Sequence, residues 1–124
     1  MMRKHTLQVI GNKKESDLIE WGNSVCDPEH KIESFNSKSL STSIYFFDIL
    51  KSIEPRAINW DIVHKEPKDD AEKESNAKYV ISVARKLDAL VFIVWEDITD
   101  VKKRMMLLFL SSLYDLAHKY KKSD

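Results

Sequence analysis

The chain has 124 residues, which corresponds to one domain at roughly 100 to 200 residues per domain. Twenty basic and twenty acidic side chains give a formal net charge of zero. This balance argues against a dedicated nucleic-acid-binding protein, because such proteins usually carry a basic surface. Hydrophobic residues make up 43% of the chain, which argues against intrinsic disorder. We therefore expect a folded domain with no nucleic-acid partner.

Cysteine usage and apolar run lengths indicate the compartment. The single cysteine, Cys26, has no partner for an intramolecular disulfide, as is typical of a reducing compartment. The first 20 residues contain no apolar run of signal-peptide length. The longest apolar stretch, Met105 to Leu110, is far shorter than the roughly 18 residues that span a bilayer. We expect a cytoplasmic protein without a membrane partner.

A first helix is predicted from about Lys13 to Cys26, with Asn12 as its N-cap. Four residues at helical spacing form its inner face: Leu18, Trp21, Gly22 and Val25. Gly22 costs about 1 kcal/mol relative to alanine in a helix, so we expect another segment to pack closely against the backbone there. The Asp27-Pro28 pair ends the helix, because a residue before proline avoids the helical conformation.

Two further helices follow in the middle of the chain. The first is predicted from about Leu40 to Ile53 and is apolar around more than half of its circumference, which indicates deep burial. Ile58 to Val63 is too short for a full helix and predicts one packed turn. Asp69 and Glu72 have the spacing of a capping box at the start of the next helix. That helix has an inner face at helical spacing: Ala77, Val80, Ile81, Ala84 and Leu87.

The last third of the chain begins with the apolar run Leu90 to Trp95, which has no second strand-like run to pair with. We interpret it as an extended buried connector, followed by a short turn that Asp97 caps. The last helix is predicted from about Val101 to Lys119. Its middle, Met105 to Leu110, is apolar all round, which predicts a central position. The fold class is therefore all-α: a compact bundle of four main helices plus short helical turns.

No pattern of catalytic or metal-binding residues is present in the sequence. The four histidines lack the spacing of a metal site, and Cys26 lies at a helix end that does not stabilise a thiolate. We therefore expect no enzyme activity, cofactor or metal. The cations Lys102, Lys103 and Arg104 open the last helix, where the helix dipole disfavours positive charge. Two explanations stay open: contact with a partner, or pairing with Glu96, Asp97 or Asp100.

An ordered series of anchors resembles the calponin-homology domain over roughly Asn12 to Ala117. The anchors are Leu18-Ile19-Glu20-Trp21-Gly22-Asn23, Phe35, Leu40-Ser41, Phe46 to Leu50 with Pro55, Ile58 to Val63, Asn76 to Leu87, Glu96-Asp97-Ile98, Val101-Lys102 and Met105 to Phe109. The pattern is most similar to the fourth and last such domain of the fimbrin/plastin family. Two positions differ from the usual pattern. Asp88 replaces a common glycine but tolerates the left-handed backbone, and Trp95 replaces a common proline.

The resemblance implies an organisation and a function. Residues 1–11 would be a lead-in from a preceding calponin-homology domain, 12–120 the domain itself and 121–124 a tail. The domain would be a non-catalytic module that binds actin filaments as the second of a tandem pair in an actin-bundling protein. The alternative is a structural or regulatory domain that packs against neighbouring domains and has little affinity for actin alone. A third reading, microtubule or signalling-partner binding, is weakened by the neutral charge.

Candidate contact residues follow from the same resemblance, which places part of the actin site on the first helix. Its outer face would offer five polar side chains: Lys14, Asp17, Glu20, Asn23 and Ser24. The cations Lys102, Lys103 and Arg104 complete the set. The tryptophans at positions 21 and 60 and Tyr79 are instead predicted to be core residues, because of their spacing.

Overall fold

The computed structural model describes residues 15–123, and the side chains of residues 15–120. The predicted lead-in, the N-cap Asn12 and the candidate Lys14 lie outside the described residues. The described part contains five α-helices and no strand: α1 (Glu15–Val25), α2 (Ile44–Ile53), α3 (Asp70–Lys86), α4 (Trp95–Thr99) and α5 (Lys103–Ser123). Short 3-10 turns lie between them at Pro28–His30, Lys38–Thr42, Pro55–Ala57 and Trp60–Ile62. The predicted all-α bundle of four main helices plus short turns is confirmed, with α4 as a single turn.

The core lies where α2 and α5 meet. Tyr45 to Leu50 of α2 are buried without interruption, as the apolar pattern predicts. Phe46 packs edge-on against Phe109 of α5, with 4.8 Å between the ring centroids. Each such buried side chain contributes about 1.5 to 3 kcal/mol. The fully enclosed position predicted for the middle of α5 is wrong in part, because Leu107 and Leu108 are only half-buried.

The second predicted helix is interrupted at Ser43. A 3-10 turn ends there through a hydrogen bond from the Ser43 amide to the Leu40 carbonyl (3.1 Å). Ser43 then adopts a left-handed backbone (φ 68°), and α2 begins at the next residue. The hydroxyl of Ser43 is buried and has no hydrogen-bond partner within the described part of the chain. Periodicity does not reveal this break, because both pieces place apolar residues toward the same core.

The run before α4 is extended, as predicted, but is not a buried connector. Leu90, Phe92 and Val94 are 71%, 73% and 56% exposed, whereas Ile93 is buried. Successive side chains of an extended segment point to opposite sides, so only one side of this run can face the core. Asp97 caps the short helix α4, but it does so from within the first turn rather than from in front of it. Its carboxylate accepts a hydrogen bond from the amide of Val94, the residue before the helix (3.0 Å).

The ends of α3 follow the local sequence. At its start, Asp69 Oδ1 accepts a hydrogen bond from the Glu72 amide (2.9 Å), as a capping residue does. Glu72 does not complete the predicted box, since its carboxylate accepts from the Lys68 amide instead (2.8 Å). At the other end, Asp88 has the left-handed backbone expected for it (φ 75°).

Candidate interaction surface

The outer face of α1 presents three of the predicted contact residues. Asp17, Glu20 and Ser24 are exposed, whereas Leu18 and Gly22 on the opposite face are buried. Positions 17, 20 and 24 share one side of a helix because their spacing is close to whole turns. We refer to these three side chains as the α1 outer row. A shallow groove of about 490 Å³ runs beside this row, with Lys31 and Glu33 among its lining residues.

Asn23 has a different environment from the row. It is half-buried, and its side-chain amide donates to the Ile32 carbonyl (2.9 Å) while its oxygen accepts from the Ile32 amide (3.0 Å). The same oxygen accepts a hydrogen bond from Tyr45 Oη (3.2 Å). Asn23 therefore fastens the loop after α1 to the helix, rather than pointing fully outward as predicted. Contact of Asn23 with a partner stays a prediction.

The three cations at the start of α5 have different surroundings. Lys102 Nζ lies 3.3 Å from Asp97 Oδ1, which is one of the pairings expected from the sequence. Lys103 Nζ lies 3.8 Å from Glu15 Oε1 of α1. Arg104 is exposed and has no ion pair with residues 15–120. An exposed pair such as Lys103–Glu15 contributes at most about 1 kcal/mol, so Lys103 remains available to a partner.

The contact between Lys103 and Glu15 brings the starts of α5 and α1 together. Glu15 is the first residue of α1, two positions before Asp17 of the outer row. Residues two positions apart point to nearly opposite sides of a helix, so this contact places α5 beside the start of α1 but not beside its outer row. The contact could not be read from the sequence, because Lys103 and Glu15 are far apart in the chain.

An exposed apolar feature was missed by the sequence analysis. Leu90, Phe92 and Val94, which we call the apolar strip, lie on the solvent side of the segment before α4. Leu90 and Phe92 border a groove of about 350 Å³ whose other wall includes Leu108 and Leu116 of α5. The sequence carries no signal for this exposure, because Leu90 to Trp95 are all apolar and a continuous apolar run is typical of a segment buried on both sides.

Among the described residues, no helix combines the length and the hydropathy needed to cross a membrane. The candidate surface consists of polar side chains on α1 and α5, and the apolar strip is a second exposed feature.

This helical order and its buried anchors define a calponin homology domain. The family's sequence profile, described as "Calponin homology (CH) domain", matches residues 12–119. The chain belongs to the CH domain family.

Within that family, the chain is similar to fimbrins and plastins. It is 39% identical to Fimbrin-3 of Arabidopsis thaliana, over 91% of this chain and 17% of that protein. It is 34% identical to Plastin-1 of Homo sapiens, over 91% of this chain and 19% of that protein. The crystal structure of the actin-crosslinking core of Schizosaccharomyces pombe fimbrin matches with a TM-score of 0.76 and 31% identity, over 90% of this chain and 24% of that one. The resemblance to fimbrin and plastin domains is confirmed, and the chain spans about a fifth of the length of these curated relatives.

Proposed function

We propose that this chain is a non-catalytic module that binds actin filaments within a fimbrin- or plastin-type bundling protein. The observation that carries the proposal is its match to the actin-crosslinking core of a fimbrin, at 31% identity over 90% of the chain. The proposed setting is the actin cytoskeleton of the cytoplasm. No cofactor takes part in this function.

We further propose that the chain is the second CH domain of a tandem pair, in the fourth and last position of the whole protein. Its 24% share of the fimbrin core is the share expected for one of four similar domains. In this arrangement, residues 1–11 connect it to the preceding CH domain, 12–120 form the domain and 121–124 are a tail.

The proposed actin-facing surface combines the α1 outer row with the cations at the start of α5. Both sets are exposed, and the Lys103–Glu15 contact joins the start of α5 to the start of α1, the helix that carries the outer row. The carboxylates of Asp17 and Glu20 and the guanidinium of Arg104 offer both signs of charge on this surface. Complementary charge of this kind contributes to orientation and association rate more than to total affinity. Lys14 and Asn23 remain candidates for contact with actin.

Co-sedimentation with filamentous actin tests the proposal. Two proteins are compared: this chain alone, and this chain extended upstream to include the adjacent CH domain. We expect the tandem protein to pellet with actin at tens of micromolar and the chain alone to pellet weakly. If the tandem protein pellets no more than a control without actin, the actin-binding function is wrong.

The apolar strip favours a second candidate function, in which the domain packs against a neighbouring CH domain and regulates it. Leu90 and Phe92 are about 70% exposed and border an open groove, which is typical of a surface that another protein segment covers. In this case Phe92→Ser lowers the unfolding temperature of the tandem protein but not that of the chain alone. Two results together would support the second function over direct binding. The chain alone would not pellet with actin, and the preceding CH domain alone would pellet less than the tandem protein.

A further inference from the structure

Two aspartates and a histidine converge beneath the C-terminal end of α1. Asp27 follows α1, His30 ends the 3-10 turn Pro28–His30, and Asp48 lies in the middle of α2. His30 Nδ1 lies 2.5 Å from Asp48 Oδ2 and 3.9 Å from Asp27 Oδ2. One possible ligand atom from each of the three residues lies within 4.8 Å of the others. The sequence predicts no metal site because no two histidines have helical spacing, whereas this cluster uses one histidine and a distant aspartate.

The charge of the cluster is unbalanced. Asp48 is only 8% exposed, and no lysine or arginine of residues 15–120 forms an ion pair with it. A buried carboxylate is costly unless a positive charge or several hydrogen bonds compensate it. Asp48 Oδ2 accepts hydrogen bonds from His30 and from the Asp27 amide (3.2 Å). The carboxylate of Asp27 is a second acidic group near the same imidazole nitrogen, 3.9 Å from it.

We propose that Asp27, His30 and Asp48 form a binding site for a Zn²⁺ ion. Imidazole nitrogen and carboxylate oxygen are both zinc ligands, at about 2.0 to 2.2 Å from the ion. Two such ligands at a tetrahedral angle are about 3.4 Å apart. This value lies between the two distances measured from His30 Nδ1, 2.5 and 3.9 Å. Zinc binding therefore requires His30 and Asp48 to move apart by about 0.9 Å and Asp27 to approach His30 by about 0.5 Å. The carboxylates of Asp27 and Asp48, whose ligand atoms lie within 4.8 Å of each other, must also come to about 3.4 Å.

The surroundings allow this adjustment. The side chain of Asp27 is 64% exposed and is free to rotate toward His30. The Asp27 amide donates a hydrogen bond to the Asp48 carboxylate, so this buried ligand is already positioned. Nδ1 donates to Asp48 in the metal-free protein, so zinc binding at Nδ1 displaces that proton and leaves the imidazole proton on Nε2; a water molecule completes the tetrahedron. Calcium and magnesium prefer sites built entirely from oxygen, so the histidine nitrogen favours zinc.

Isothermal titration of the metal-free 124-residue protein with zinc chloride tests the site. We expect one Zn²⁺ per chain and an increase in unfolding temperature when zinc is added. His30→Gln and Asp27→Asn should each weaken binding by at least about tenfold. The matched control is His64→Gln, because His64 Nδ1 lies 3.9 Å from a single carboxylate, that of Glu72. This control should bind zinc as the unchanged protein does.

A second control separates the proposed ligands from the nearby thiol. Cys26→Ser should retain zinc binding, because the thiol is not among the three ligands. Circular dichroism checks that each variant is folded. If only one of Asp27→Asn and His30→Gln folds, the zinc affinity of that variant is sufficient to test the site. Absence of saturable binding would show that His30 and Asp48 form only a hydrogen-bonded pair, which overturns the proposal. Binding that survives His30→Gln, or that Cys26→Ser abolishes, also overturns it.

Discussion

Tyr45 fills the space beside Gly22 that a β-carbon would occupy in any other residue. A β-carbon placed at Gly22 would overlap Tyr45 Oη and lie 2.9 Å from Tyr45 Cζ. The ring is held in place, because its hydroxyl donates a hydrogen bond to Asn23 Oδ1 (3.2 Å). The close packing expected at this glycine is confirmed. It lets the backbone of α1 approach α2, and this approach positions the outer row of α1.

Overpacking usually costs about 1 to 3 kcal/mol, and alanine recovers roughly 1 kcal/mol through its higher helix propensity. Gly22→Ala should therefore destabilise the domain by up to about 2 kcal/mol. Urea unfolding measures the difference. Ser16→Ala, an exposed change in the same helix, should alter stability by less than about 0.5 kcal/mol. The Tyr45→Phe background should reduce the penalty, and an unchanged stability of Gly22→Ala would contradict the close packing.

Asn76 connects three parts of the chain, and its removal should be costly. It is 1% exposed, and its amide donates to the carbonyls of Thr42 (3.1 Å) and His64 (2.8 Å). Its oxygen accepts from the His64 amide (2.9 Å). Asn76→Ala leaves these groups without partners and should destabilise the domain by about 2 to 4 kcal/mol. Thermal or urea unfolding, with the exposed Asn36→Ala as control, checks this value. Equal effects of the two changes would show that the Asn76 bonds contribute little.

Asp88→Gly should stabilise the domain by about 0.5 to 1 kcal/mol. Asp88 has φ 75°, a conformation that glycine adopts without the steric cost of a β-carbon. The Ala89 amide donates to the Ala84 carbonyl (3.0 Å), which is the hydrogen bond that ends helices with a left-handed residue. Asp100→Gly is the matched control, because Asp100 has φ −86° and should gain nothing. A loss of stability in Asp88→Gly would indicate that the Asp88 side chain contributes more than the backbone strain costs.

Cys26 should react slowly with thiol reagents. Burial, followed by the negative charge of Asp48, raises the pKa of the Cys26 thiol above its ordinary value of 9.0. Ellman's reagent at a pH near 8 should modify the folded chain at least about tenfold more slowly than the chain unfolded in urea. A rate equal to that of the unfolded chain would show that the thiol is accessible and ionised.

The same shift predicts the pH dependence of stability. A raised pKa in the folded state means that the neutral thiol contributes stability below its ordinary pKa, and that this contribution is lost as pH rises through the folded pKa. Burial also raises the pKa of Tyr45, which acts in the same direction at still higher pH. Stability should therefore fall as pH rises above about 9. Cys26→Ser should show a smaller fall over the first part of that range.

Arg104→Glu should weaken actin binding of the tandem protein by about threefold to tenfold without changing the stability of the domain. Arg104 is exposed at the junction of α1 and α5 and forms no ion pair within residues 15–120, so its charge is available to a partner. Co-sedimentation measures the change. Lys65→Glu is the control, since Lys65 is an exposed cation outside both candidate sets. Equal weakening by both changes would attribute the effect to net charge rather than to this surface.

Several features of the fold were predictable because they depend on nearby residues. The faces of α1 and α3, the stop at Asp27-Pro28 and the left-handed Asp88 all follow from local periodicity and backbone preferences. The interruption at Ser43 was not predictable, because a serine has no intrinsic preference for that conformation and the surrounding core imposes it. The exposure of Phe92 was missed because hydrophobicity alone does not tell which side of a segment another element covers.

The amino-acid order alone determined the helices, their inner faces and the resemblance to a CH domain. These features depend on the spacing of residues within a helical turn and on the order of the anchor residues along the chain. Only tertiary packing decided which polar side chains are neighbours. It placed Lys103 beside Glu15, turned Asn23 toward the loop after α1 and brought Asp48 to His30. The physical reason is that these contacts join residues distant in the chain, and their geometry is set by how the helices pack rather than by local preference.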